Sequence, residues 1–166
     1  GVLFFLTANK ESDVLPTIRS RARVTNFQTL NKDEMRELCG ENPFCDEMLS
    51  YAMGRPGKLV KLMDNEEYLK VHRDMNLIIQ KFLENPNHGS AFEISRWLEK
   101  NEHLQEFLDL LLIRVRSLLL ADQKPAILGH IDFAEKAEEI ENAKGDILRN
   151  VNTKLLFENL LIKFVP

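Results

Sequence analysis

Val2-Leu3-Phe4-Phe5-Leu6 and, after a polar break, Leu15-Pro16-Thr17-Ile18-Arg19-Ser20-Arg21 form the stretch from which the architecture of this 166-residue chain can be read. A five-residue run without a polar member is buried whether it is a strand or a helical turn. Its β-branched and aromatic content and its shortness favour a strand, which the polar run Asn9-Lys10-Glu11-Ser12-Asp13 ends. A strand apolar on both faces needs cover on both, as in a parallel sheet between helices, and no later segment offers such a sheet. The expectation is that the chain opens inside a domain whose other strands lie upstream. Ala22-Arg23-Val24-Thr25-Asn26-Phe27 alternates weakly and predicts a short edge strand of the same sheet.

From there on the patterning is helical. Asn31 followed by Glu34 has the reciprocal form of a capping box, and Gly40 can end that helix, giving 32–39. A second helix starts at Asn42-Pro43 and closes at Gly54; a third runs from Pro56 to about Met63. Met35, Leu38, Met48, Leu49, Leu59, Val60 and Leu62 are available to form their shared interior. A longer helix follows over 65–83, with Tyr68, Val71, Met75, Ile78, Ile79 and Phe82 on one face. Asn85-Pro86-Asn87-His88-Gly89 stops it, and Ser90 with Glu93 predicts the next start, for a helix carrying Phe92, Ile94, Trp97 and Leu98. Leu104 to Leu120 is the most apolar segment and is expected to be the central helix of a second bundle. A charged helix over 133–143, a break at Gly145 and a last helix over 146–164 complete the pattern.

Composition narrows the function classes. A net charge of −4 argues against a free-standing nucleic-acid binder, so affinity for DNA alone should be weak. Cys39 and Cys45 are the only cysteines, with no second pair and no histidine at zinc-ligand spacing, which predicts ordinary thiols in a reducing compartment. The longest apolar runs fall far short of the roughly 20 residues that a membrane span needs, and the first residues lack the pattern of a leader; a cytosolic protein is expected. Nor is there a phosphate-cradling Gly-x-x-x-x-Gly-Lys-Ser/Thr loop, a nucleophile elbow, a His-Glu-x-x-His helix or a paired-carboxylate arrangement. Gly54-Arg55-Pro56-Gly57-Lys58 lies between helices without a preceding strand, and its glycines are three apart, so it is no phosphate cradle. His72, His88, His103 and His130 are too dispersed to suggest ligands.

In order and spacing, the first strand, the Leu-Pro-Thr-Ile turn, Ser20-Arg21-Ala22, Gly54-Arg55-Pro56-Gly57-Lys58 and Asn150-Val151-Asn152-Thr153-Lys154-Leu155 resemble the AAA+ clamp-loader subunits of bacterial DNA polymerase III, in particular the delta-prime type. The likeness is strongest over 2–28, 54–62 and 147–162. It implies a mainly α chain in three parts. Residues 1–28 would be the C-terminal remnant of an AAA+ α/β core with one or two strands, 29–64 a three-helix lid domain, and 65–166 a five- or six-helix collar bundle through which subunits assemble. The nucleotide-binding portion would lie N-terminal to residue 1.

The resemblance also assigns roles. Arg21 matches the arginine of the family's Ser-Arg-Cys motif, which reaches from a subunit edge into the ATP site of its neighbour, with Ser20 supporting the turn; Ala22 replaces the family's cysteine. An arginine supplied in trans to a transferring phosphoryl group contributes roughly 10³ to 10⁵ in rate. Thr7 and Asn9 fall at the sensor 1 position, although Asn9 serves equally well as a turn cap. Gly57 stands where motor subunits carry the sensor 2 arginine, and glycine has no side chain to offer phosphate. Asn150 and Asn152, with Leu155 and Leu156, fall in the collar helix. Leu148, Val151, Leu155, Leu156, Leu160 and Ile162 cannot all face one small interior, so some are left for a partner. The implied function is a non-hydrolysing subunit with no cofactor of its own, ATP and magnesium being held by neighbouring subunits. Its partners would be the motor (gamma/tau) and delta subunits and, indirectly, the sliding clamp and primed DNA, within a cytoplasmic DNA-directed DNA polymerase, a nucleotidyltransferase. A fragment of the ATPase motor subunit, or a helical adaptor unrelated to replication, are the alternatives.

Overall fold

Helix starts and stops are set by local chemistry along most of the chain. The structure is a computed structural model that describes residues 2–8, 11, 14–100, 103–121, 126–149 and 151–166. Among the described residues it is mainly helical: α1 (Pro16–Arg19), α2 (Lys32–Cys39), α3 (Cys45–Ala52), α4 (Pro56–Asp64), α5 (Glu66–Glu84), α6 (His88–Glu99), α7 (Leu104–Leu120), α8 (Phe133–Ile147) and α9 (Thr153–Ile162). Asn31 caps α2 as its spacing predicts. Its side-chain oxygen accepts from the N–H groups of Asp33 and Glu34 at 3.0 Å, and its own N–H donates to the Glu34 carboxylate at 2.8 Å. Gly54 is required where α3 hands over to α4. Its φ is 72°, the Leu30 N–H donates to its carbonyl at 2.8 Å, and a Cβ there would lie 2.6 Å from the Leu30 carbonyl oxygen.

The helices pack through one contiguous apolar core that runs from Met35 to Phe164. In α2, α3 and α4, Met35, Met48, Leu49, Leu59 and Leu62 are buried, while Leu38 and Val60 face outward. The second bundle is organised around α7, whose Phe107, Leu108, Leu111, Leu112 and Val115 are buried against α5 and α8; α6 packs on α9. Edge-to-face pairs, Phe107 with Phe157 at 5.9 Å and Phe82 with Phe164 at 6.1 Å, tie α9 and the residues after it to α7 and α5. Five helices follow α4 among the described residues, and α5 serves both halves: Tyr68, His72 and Arg73 meet α3 or α7, and Met75, Ile79 and Phe82 enter the second bundle.

Several expectations are corrected. Neither 2–6 nor 22–27 forms a strand: both lack a ladder partner among the described residues, and Val2, Leu3, Phe4, Phe5 and Leu6 are all exposed. A single extended segment cannot satisfy its backbone groups as a sheet does. The start of α6 comes earlier than Ser90, because Asn87 is the cap and Ser90 its reciprocal partner: the Asn87 side chain accepts from the Ser90 N–H at 2.9 Å and the Ser90 hydroxyl from the Asn87 N–H at 3.4 Å. Gly145 does not break α8, which continues to Ile147; the packing of α8 on α7 outweighs the weak helix propensity of one glycine. The last helix accordingly begins at Thr153, and Asn152 is its cap rather than an interior residue reaching to neighbouring helices.

Candidate functional site

Two regions gather the residues singled out in the sequence. In the first, Pro16 opens the single turn of α1, the Ser20 hydroxyl donates to the Thr17 carbonyl at 3.2 Å, and the Arg21 N–H donates to the Ile18 carbonyl at 3.0 Å. That closed turn holds Arg21 at the surface. Arg19 pairs with Glu11 at 3.2 Å, whereas Arg21 has no carboxylate partner among the described residues. Leu6 and Ala8 on one side and Val24, Thr25 and Asn26 on the other line a hollow of about 140 Å³ with α1, so the two segments expected to be strands do lie at one site. Thr7 is exposed but does not line the hollow; Asn9 lies outside the described residues.

The second region is built on Gly54-Arg55-Pro56-Gly57-Lys58. Arg55 precedes α4 and donates through Nη1 to Asp109 Oδ2 at 3.0 Å, while Lys144 Nζ on α8 lies 2.7 Å from Asp109 Oδ1. Asp109 is only 6% exposed, so one buried carboxylate ties α4, α7 and α8 together. Lys58 Nζ is buried with no hydrogen-bond partner among the described residues, and burial pushes its pKa down against the pull of Asp109 and Glu106. Lys61 Nζ stands 3.8 Å over the Tyr68 ring, and the Tyr68 hydroxyl donates to Glu106 at 3.3 Å. Burial, with Glu106 beside it, pushes the Tyr68 phenol up to about 12. Arg55, Gly57, Lys58, Lys61, Tyr68, Glu106 and Asp109 line an open cleft of about 460 Å³. Gly57 itself has open space where a side chain would begin.

His72 is a buried residue that its spacing did not single out. It is fully enclosed, 4.4 Å from the Tyr68 ring and 5.7 Å from that of Tyr51, and its Nδ1–H donates to the Tyr68 carbonyl at 2.9 Å. Nε2 has no partner among the described residues, and burial holds the pKa down at about 4, so the ring is neutral. Asp109 was equally unforeseen; the signal for it was a carboxylate in the middle of the most apolar helix.

The predicted assembly residues divide. Asn152 Oδ1 accepts from the Leu155 N–H at 3.1 Å and acts locally, and Asn150 lies outside the described residues. Leu155 is exposed, Leu156 is partly buried and Leu160 is buried, while Leu148, Val151 and Ile162 join Leu155 at the surface. No cluster of three or more metal-ligating side chains occurs among the described residues, and no helix there is long and apolar enough to cross a membrane. No protein-family model, curated protein or solved structure matches the chain.

Proposed function

We propose that this chain is the C-terminal part of a delta-prime-like clamp-loader subunit. In this reading residues 1–28 belong to an AAA+ core, α2 to α4 are the lid domain and α5 to α9 the collar, and the subunit assembles with motor and delta subunits while supplying Arg21 to a neighbour's ATP site. The observation that carries it is the turn of α1: Ser20 and the backbone close it, Arg19 is taken up by Glu11, and Arg21 is left exposed with no carboxylate partner among the described residues. A guanidinium positioned at the surface is what stabilisation of a phosphoryl group in trans needs. Gly57 cannot touch phosphate and Arg55 is engaged by Asp109, which favours a subunit that does not hydrolyse ATP over a motor subunit.

The test is the DNA-stimulated ATPase of a clamp loader reconstituted with the intact subunit, comparing wild type with Arg21→Ala. A fall of about tenfold or more with the subunit still incorporated is the expected result. An unchanged rate in a complex that contains the subunit would reduce Arg21 to a surface charge. Failure of the wild type to enter the complex would favour the adaptor reading.

A further inference from the structure

The ring of Phe92 on α6 is 44% exposed and carries two cations: the guanidinium carbon of Arg96 lies 5.4 Å from its centroid and Lys154 Nζ of α9 lies 5.6 Å from it. Neither cation has a carboxylate partner among the described residues, although the chain has 26 acidic residues against 22 lysines and arginines, and ion pairs recur elsewhere on its surface. Two like charges sharing one ring repel each other. Lys154 has a second electrostatic cost, because it stands in the first turn of α9, where the helix dipole favours an anion and no acidic side chain is present. A carboxylate brought to this point from outside would relieve both.

Exposed aliphatic side chains recur on α9 and just before it. Leu155 follows Lys154 and Val151 lies three residues before it; they are 54% and 43% exposed, and Leu148 is 78% exposed. Leu155 and Ile162 are seven residues apart, hence on one face of α9, and Ile162 is also exposed. A cation pair on an aromatic ring, with exposed aliphatic side chains on the same helix as one of the cations, is complementary to a helix that presents leucine-like residues beside an Asp or Glu.

We infer that this surface, centred on Phe92 with Arg96 and Lys154, docks an acidic, apolar helix face of a neighbouring subunit. The inference rests on the clamp-loader reading and specifies the chemistry of the contact. Cations beside an aromatic ring also suit single-stranded nucleic acid, but the exposed aliphatic side chains of α9 and the net charge of −4 disfavour a polyanion.

Two measurements on the intact subunit reconstituted with motor and delta subunits test it. Carbodiimide, which joins an amine directly to a touching carboxylate, should couple Lys154 to an Asp or Glu of a neighbouring subunit, and Lys154→Gln should abolish that product. The paired variant Arg96→Glu/Lys154→Glu should weaken assembly by about tenfold or more and Arg96→Gln/Lys154→Gln by less, with unchanged helix content and thermal midpoint. Assembly with wild-type affinity by the charge-reversed subunit, or absence of the Lys154 cross-link, overturns this inference and leaves the function untouched. Competition by a thymidine 20-mer for the same surface also overturns it. If the wild-type subunit does not assemble at all, both fall.

Discussion

Asp109 Oδ2 accepts from Arg55 Nη1 at 3.0 Å, and the two residues are unequal partners, because the aspartate side chain is 8% exposed and the arginine side chain 51%. The carboxylate also faces Lys144 at 2.7 Å and offsets the positive charge of Lys58 close by. Removing it strands cations, whereas removing Arg55 frees one oxygen of a carboxylate that Lys144 still holds.

Stability should therefore respond asymmetrically. Asp109→Ala is expected to cost about 3 kcal/mol, in the range for breaking a buried ion pair from one side. Arg55→Ala should cost less than about 1 kcal/mol, as befits a half-exposed guanidinium. Urea denaturation of the two variants measures the difference, and equal losses would show that α7 is not held through Asp109.

The glycines give a second contrast. Gly54→Ala must push a Cβ to 2.6 Å from the Leu30 carbonyl oxygen at a φ of 72°, and should destabilise by about 2 kcal/mol or more. Gly145→Ala meets nothing within 4 Å and lies inside α8, so it should stabilise by roughly 0.5–1 kcal/mol. Opposite shifts in thermal midpoint are the expected readout; a Gly145→Ala variant that loses stability would mean that α8 is not continuous through this position.

Gly145 also marks a limit of what could be read from the amino-acid sequence. The boundaries of α2, α4, α5 and α7 follow from caps, proline at a first turn and apolar spacing, all local signals that the residues carry themselves. Gly145 and Ser90 misled for opposite reasons. At Gly145 tertiary packing of α8 on α7 overrode a weak helix former, and at Ser90 a better cap, Asn87, lay three residues earlier. The strand expected over 2–6 depends on a partner strand that no local pattern supplies. At the candidate sites Arg21 is singled out by its motif alone, while Asp109, His72 and the Phe92 cation pair depend on which helices meet, information that apolar periodicity does not contain.

His72 gives a pH dependence with a defined sign. Its pKa is about 4 in the folded chain against an ordinary 6.5, so between these values the unfolded state binds more protons and stability rises with pH. Burial is the leading cause; the groups facing the ring are Lys58, which lowers the value further, Glu106, which opposes it, His103, Tyr51 and Tyr68. The contribution is complete above pH 6.5 and is lost as pH falls toward 4, at most about 3.5 kcal/mol at roughly 1.4 kcal/mol per pH unit. Glu47, held below the usual carboxylate range chiefly by its hydrogen bonds from Arg73, acts only at lower pH, as its stabilisation is lost below 4.5. Denaturation midpoints between pH 6.5 and 4.5 should fall in wild type and stay nearly level in His72→Phe; a parallel fall in both would assign the slope to other groups.

The two thiols should differ in reactivity for a reason that lies in the fold. Cys39 ends α2 and is 3% exposed, and burial, reinforced by Cys45 beside it, pushes its pKa up to about 11. Cys45 opens α3 and is only partly buried. Since the thiolate is the attacking species, a buried thiol with a raised pKa is doubly protected, by access and by protonation. Titration with a chromogenic disulfide at pH 8 should release about one equivalent rapidly from the native protein and the second only on denaturation. Cys45→Ser should abolish the rapid phase, and Cys39→Ser should leave it intact. Rapid release of both equivalents from the native chain would mean that α2 and α3 separate readily, and that the apolar contacts of Met35 and Met48 do not hold this corner closed.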